Sequence, residues 1–283
     1  MSIQLRDIKR RIGSTRQIHK MTATMQKVAA ARLVRDRSAA EGSRLYTDRL
    51  RQVMQEVSEE VPEMRHPLLD ADRSGAGCLV VFGSDRGLCG GYNTALVREM
   101  QRFTRETAPE PARFIAIGRI VGRRGRFARL DLMEQHEQPR AVDRAELLDG
   151  LAQRLIDGFV SGRVATVSVL YWEFVSVLHQ DLHVVRILPV PFEPGGAEDA
   201  GWGVFEPQPG ALLARLLPEY VRQMLDYAFL SGLASEDAAR QTAMTRASEN
   251  ARSLLEELGR QYSRLRQESV TTEVLEIVAS TLR

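Results

Sequence analysis

The apolar positions divide the chain into two long helical ends and a middle of shorter, differently spaced elements. From Glu219 to Arg283 there is no proline, and the run reads as one helix of about 65 residues, on the order of 95 Å long at about 1.5 Å per residue. Arg240, Met244, Ala247, Ala251, Leu254, Leu258, Gln261 and Leu265 fall at alternating four- and three-residue steps, the spacing of a left-handed coiled coil. Such a seam needs a partner, and the other stretch of comparable length is Ile3 to Val61, again without proline. There Ile18, Met21, Met25 and Val28, and later Leu50, Val53 and Val57, repeat the same steps. With a domain inserted between them the two helices must run antiparallel. Val57 then lies near the start of the second helix, Ile8 near Gln267, and the last dozen or so residues project past the N-terminus by about 15 Å. Gly13 and Gly42 each cost the first helix about 1 kcal/mol relative to alanine.

In the middle the period changes. Residues 78–82 are a short continuous apolar run, as in a strand covered on both faces. Residues 114–118 and 164–172 predict two further strands, and 182–188 a fourth, antiparallel at an edge because only a short segment separates it from the third. Between them lie three predicted helices. The first has Asn93 or Thr94 as cap and Ala95, Leu96, Met100 and Phe103 on its buried face. The second is arginine-rich, 119–130, and the third covers 145–160. Strands alternating with helices describe a small doubly wound α/β domain. The predicted fold is therefore α/β: a long antiparallel coiled coil of the N- and C-terminal helices with an inserted α/β domain. Its parts are a first helix over 1–61, the α/β domain over 75–190, a connecting loop over 191–209 and a second helix over 210–283.

Composition changes this picture little. The chain has 283 residues, 43% hydrophobic and 27% charged, with a net charge of +2, which is ordinary for a folded soluble protein. Of the 39 basic residues only Lys9, Lys20 and Lys27 are lysines, a compositional bias and not by itself a nucleic-acid signature. Two cysteines, Cys78 and Cys89, supply no disulfide framework. A strand and a turn between them would hold them beyond the roughly 7 Å that bridging permits, and free thiols suit a reducing cytoplasm. The N-terminus shows no secretion signal and no window approaches 18 apolar residues, so membrane association is expected only through a partner.

Candidate chemistry is sparse. The glycine-rich loop Gly83 to Gly91 follows a strand and precedes a helix, where a phosphate would bind. It lacks the Lys-Ser/Thr pair of a Walker loop, having Gly91-Tyr92 instead, and it lacks the three-glycine dinucleotide spacing, so it reads as a tight turn. Cys89 stands at a helix N-terminus, which favours a thiolate, but the sequence places no histidine beside it. His19, His66, His136, His179 and His183 are scattered, without metal-ligand spacing. No catalytic residue, cofactor or metal site is expected. Arg119, Arg123, Arg124, Arg126 and Arg129 form a basic patch with one aromatic, Phe127, which reads as a solvated helix face. Between Met21 and Ala31 the only charge is Lys27, and one seam cannot bury every apolar residue there; the surplus implies a further surface around this part of the helix.

Three separated motifs resemble a known family. They are Ile8-Lys-Arg-Arg-Ile-Gly-Ser-Thr with Met21-Thr-Ala-Thr-Met-Gln-Lys-Val-Ala-Ala-Ala-Arg; Ser84-Asp-Arg-Gly-Leu-Cys-Gly-Gly-Tyr-Asn; and Ala234-Ser-Glu-Asp-Ala-Ala-Arg-Gln-Thr-Ala-Met with Arg266-Gln-Glu-Ser-Val-Thr-Thr-Glu-Val-Leu-Glu-Ile. In order and over essentially the whole chain they resemble the gamma subunit of the F-type ATP synthase. The resemblance implies a non-catalytic central rotor without cofactors, its coiled coil turning inside three alpha and three beta subunits. The α/β domain and lower shaft would rest on the epsilon subunit and the c-ring, at the cytoplasmic face of the bacterial plasma membrane. It implies subunit contacts at Met25, Arg240, Gln267 and Thr271, and at Glu206 in Phe205-Glu-Pro207 near the foot. Met21 and Thr22-Ala-Thr24 replace the family's more usual Ile-Thr-Lys-Ala, and Glu268 and Thr272 stand where alanine and glutamine are common. Two other classes make contrasting predictions: a free-standing coiled-coil adaptor or nucleic-acid-binding protein would bind DNA in a salt-dependent way, and a nucleotide-binding enzyme would bind ATP or NAD on its own.

Overall fold

The computed structural model describes residues 3–61, 64–71, 75–106, 111–191 and 208–281. Contacts divide the chain into two units: Met1–Ala31 with Arg240–Arg283, and Arg32–Ala239. Two helices run through both, α1 (Ile3–Glu59) and α5 (Pro209–Thr281). Between them lie β1 (Gly77–Phe82), α2 (Tyr92–Glu106), β2 (Ala112–Ile117), α3 (Arg119–Phe127), β3 (Asp131–His136), α4 (Arg144–Val160), β4 (Thr166–Phe174) and β5 (Gln180–Leu188).

In the unit Arg32–Ala239 the five strands form one sheet in the order β3-β2-β1-β4-β5. The first four are parallel and β5 is the antiparallel edge strand, as the short β4–β5 connection dictates. β1 is buried along its whole length because helices cover both faces. Cys78, Val80, Phe82, Ile115, Ile117, Val167 and Val169 point into a layer with α4, the second half of α1 and the first part of α5. Leu79, Val81, Phe114, Ala116 and Leu170 point the other way, onto Leu96 and Met100 of α2 and Val121 of α3. Each Val, Leu, Ile, Phe or Met among them, fully buried, contributes about 1.5–3 kcal/mol.

Three local features differ from the sequence expectation. β3 was not expected: it is an edge strand whose residues are all exposed or half-buried, and it carries no apolar run. α3 ends at Phe127 rather than 130 because Arg129 turns left-handed (φ 58°). The Leu130 N–H then donates to the Gly125 carbonyl (3.1 Å) and the Arg129 N–H to Arg126 (3.0 Å), the double bond that closes a helix C-terminus. Finally, α5 passes through Pro218, although an interior proline costs about 3 kcal/mol. Leu213, Leu217, Tyr220 and Val221 are buried on either side of it, and that packing outweighs the lost backbone bond.

Within this unit the two long helices pair antiparallel. Leu33, Asp36, Ala40, Ser43, Thr47, Leu50, Met54 and Val57 are buried at alternating three- and four-residue steps. Leu50 and Val57 lie in the seam as expected, whereas Val53 lies on its exposed flank. Gln223 Nε2 donates to Ser43 Oγ (2.9 Å) and Thr47 Oγ1 (3.3 Å). The Arg51 guanidinium lies over the Tyr220 ring (5.7 Å) and donates to Met224 Sδ (3.2 Å).

The unit Met1–Ala31 with Arg240–Arg283 is built differently. Its buried positions are Leu5, Thr15, Thr22 and Ala29 from α1, and Met244, Ser248, Ala251 and Leu258 from α5. Ile18, Met21 and Val28, expected in the seam, are exposed, and Met25 is half-buried. The period was right and its phase was wrong by one residue. Small side chains hold the seam, and Thr22 Oγ1 returns its hydroxyl to the carbonyls of Ile18 (3.0 Å) and His19 (3.1 Å) of its own helix, so its methyl can face inward. On α5, Met244, Ala251 and Leu258 match the expectation, but Ser248 is buried between them where Ala247 was expected, and Leu254 is exposed.

Candidate functional site

In an open doubly wound sheet, ligands bind in the crevice at the carboxyl ends of the strands, where the strand order reverses. Here that point lies between β1 and β4, next to the Gly83–Gly91 loop. The chain fills it with its own atoms. Gly118, at φ 126°, packs so closely that a Cβ on it would meet the Gly83 carbonyl at 2.6 Å, and a Cβ on Gly83 would collide with Val121. The Tyr92 hydroxyl donates to the Gly232 carbonyl of α5 (2.9 Å). Phe229 of α5 packs edge-on against Phe82. Ser231 Oγ accepts the Phe174 N–H (2.9 Å), and Ser235 Oγ donates to the Trp172 carbonyl (3.1 Å). Tyr227 donates to Glu173 (2.8 Å), and burial beside Tyr171 and Glu173 pushes its own hydroxyl pKa upward.

Ser84 and Asp85 of the loop are engaged in the same closure. Asn93, expected as a helix cap, is buried and accepts the Ser84 N–H on Oδ1 (3.1 Å) while donating to Ser84 Oγ (2.6 Å) and Cys89 Sγ (3.3 Å). Asp85 accepts the backbone N–H of Arg119 (2.8 Å) and of Gln138 (3.1 Å). Gln138 Nε2 donates to the Gly83 carbonyl (3.1 Å) and to Glu236 Oε2 on α5 (2.7 Å). The loop is thus a latch that ties β1, α2, the segment after β3 and α5 together. Gln138 was missed from the sequence because it sits in a loop far along the chain from both partners; Tyr92, Asn93 and Glu236 lie inside the motifs that carried the family resemblance.

Cys78 and Cys89 are free and buried. Burial pushes the Cys78 thiol up to about 12, which removes its thiolate at neutral pH. Three histidines pair with carboxylates, His136 with Glu134 (2.9 Å), His179 with Asp181 (3.1 Å) and His183 with Glu173 (3.0 Å). Among the described residues no group of three or more histidine, cysteine or carboxylate side chains is placed to hold a metal. Among them, too, no helix is long and apolar enough to cross a membrane.

The other candidate surface is the apolar flank of the unit Met1–Ala31 with Arg240–Arg283. Met21 is 54% and Ile18 49% exposed, and Val28, Leu254, Val270, Val274, Leu275, Ile277 and Val278 are exposed as well. Of the residues expected to make subunit contacts, Met25 and Arg240 are half-buried, while Gln267 and Thr271 are exposed and one turn apart, the Thr271 hydroxyl donating to the Gln267 carbonyl (2.9 Å). Glu206 lies outside the described residues.

The chain has the fold of solved ATP synthase central-stalk subunits: the rotor of the Euglena gracilis mitochondrial ATP synthase aligns with a TM-score of 0.68 at 17% identity, covering 94% of this chain and 99% of that one. The central stalk and c-ring structure of the Tetrahymena thermophila mitochondrial enzyme aligns with a TM-score of 0.59 at 20% identity, covering 81% and 99%. The family profile described as ATP synthase matches residues 4–281. Proteins named ATP synthase gamma chain are 37% identical over 282 residues in Anaeromyxobacter dehalogenans, 33% over 280 in Geotalea uraniireducens and 37% over 293 in Erythrobacter litoralis, each covering 97% of this chain and at least 96% of the relative. The chain belongs to the ATP synthase gamma chain family.

Proposed function

We propose that the chain is the central rotor shaft of a proton-translocating F-type ATP synthase, non-catalytic itself, peripheral to the cytoplasmic face of a bacterial plasma membrane. The observation that carries this reading is identity of 33–37% to ATP synthase gamma chains across nearly the whole length of both. The structure supports it physically. The helix pair of Met1–Ala31 with Arg240–Arg283 turns large apolar side chains outward, which suits a surrounding ring of three alpha and three beta subunits. Thioethers and branched aliphatics make a surface that repacks against changing neighbours without directional bonds. Met25, Arg240, Gln267 and Thr271 are the proposed contacts with that ring, with Glu206 near the foot, and the epsilon subunit and c-ring are the partners of the other unit. The latch between Gln138, Gly83 and Glu236 fixes α5 to the sheet, so torque applied to either reaches the other. The adaptor, nucleic-acid-binding and nucleotide-enzyme readings have no support in the relatives, and the crevice such an enzyme would use is filled by α5.

Copurification from native membranes tests the assignment: one copy per three alpha and three beta subunits is expected, and a free pool without them refutes it. Met25→Lys tests the coupling surface. From this half-buried flank position a lysine can extend its head outward, so the helix pair still forms, but its ammonium reaches for acceptors on the ring. A charged hydrogen bond of about 1.5–3 kcal/mol then favours some rotor angles over others. The expected result is retained ATP hydrolysis with weakened ion pumping, absent in Met25→Leu. Equal loss of both activities in both variants would point to misassembly, and an unchanged ratio of pumping to hydrolysis in Met25→Lys would remove Met25 from that surface.

A further inference from the structure

The second unit carries one surface that the rotor reading does not use. α3 has five basic residues counting Arg129 just beyond its end, and no acidic one. Arg119 is engaged by Asp85 and Glu137, and Arg124 donates to Thr94 (2.7 Å). Arg123, Arg126 and Arg129 are exposed and enter no ion pair among the described residues. Phe127 stands in their midst at 92% exposure. It is one helical turn from Arg123 and adjacent to Arg126, so the ring and these guanidinium groups share one side of a short helix. Arg129 holds a left-handed backbone (φ 58°) at the position where a helix ending of this kind favours glycine, so an arginine is kept there against local backbone preference.

We propose that α3 is a docking face for a carboxylate-rich segment of a protein partner, with Phe127 as the apolar anchor and Arg123, Arg126 and Arg129 as the cations around it. An aromatic ring ringed by arginines is the composition of a protein–protein hot spot, and planar guanidinium groups take carboxylates in bidentate fashion. A bilayer fits less well. The apolar side of α3, Val121 with Gly122 and Gly125, is already buried, leaving one phenyl ring where a membrane-surface helix presents a continuous apolar face. The proposal does not depend on the rotor reading.

The test replaces Phe127 in the full-length chain by photoreactive benzoylphenylalanine, irradiates living cells and maps the adduct by mass spectrometry. One protein adduct is expected, at a site flanked by aspartate or glutamate. Its yield should fall about fivefold or more when Arg123→Glu and Arg126→Glu are added. Arg129→Gly separates docking from folding: it relieves the left-handed strain, so the melting temperature should hold or rise while the adduct yield drops about twofold or more. An adduct only with lipid or nucleic acid, a protein adduct at a site without carboxylates, or an unchanged yield in the charge-reversed chain or in Arg129→Gly would overturn the proposal, as would no adduct at all.

Discussion

The same two helices make two different seams. In Arg32–Ala239 the buried line of α1 mixes Leu33, Leu50, Met54 and Val57 with Asp36, Ala40, Ser43 and Thr47, and it merges with a core built from the sheet, α4 and Leu213 to Ala238 of α5. In Met1–Ala31 with Arg240–Arg283 the line is largely threonine, serine and alanine, and Ile18, Met21 and Val28 face outward. One seam is part of a large shared core, and the other stands by itself with large apolar side chains on its outer flank. The contrast teaches that a heptad pattern reports where two helices meet, while the size of the residues in it reports whether that meeting, or a third party, is meant to supply the stability.

Substitutions can break or sharpen that contrast. The largest effect is expected for Met54→Ala in the heavy seam, about 2–5 kcal/mol of lost stability, against less than about 0.5 kcal/mol for Met21→Ala in the light one. Urea melts of the isolated chain measure both, and comparable losses would erase the distinction. Next comes the latch. Gln138→Leu strips a donor from the Gly83 carbonyl and from buried Glu236 and should cost about 1–3 kcal/mol. Protease nicking of the folded chain should rise with it; an unchanged melt would show that α5 is held to the sheet without the latch. The smallest effects are gains. A Cβ at Gly13 or Gly42 meets nothing within 4 Å, so alanine at either should add about 0.5–1 kcal/mol, one in each unit. A loss at Gly13 alone would mean that the light seam needs the glycine for flexibility.

Much of this was legible in the sequence, and the failures have physical causes. Strands β1, β2 and β4 announced themselves because both their faces are buried, leaving continuous apolar runs. β3 stayed hidden because an edge strand shows no such run. The phase of the light seam is not legible because large apolar residues carry the sequence signal there, and Thr15, Thr22 and Ala29 offer none against Ile18, Met21 and Val28. The surplus of apolar residues between Met21 and Ala31 was nonetheless readable, and it pointed outward correctly. In the glycine loop the failed phosphate motifs made a tight turn the expectation, but that Asn93 would reach back to Ser84, and Gln138 across to Glu236, depended on chain segments that only the fold brings together.

The central claim is that the outward apolar flank of the light seam is covered in the assembled enzyme, and thiol labelling tests it directly. Cys78 and Cys89 are buried, so single cysteines at Ile18→Cys, Met21→Cys and Val28→Cys can be followed against a quiet background. The account predicts rapid modification by a charged maleimide in the isolated chain and a slowing of about tenfold or more in the membrane-bound complex, as expected for an apolar patch that serves an interface. Equal rates in the two states at all three positions would contradict it.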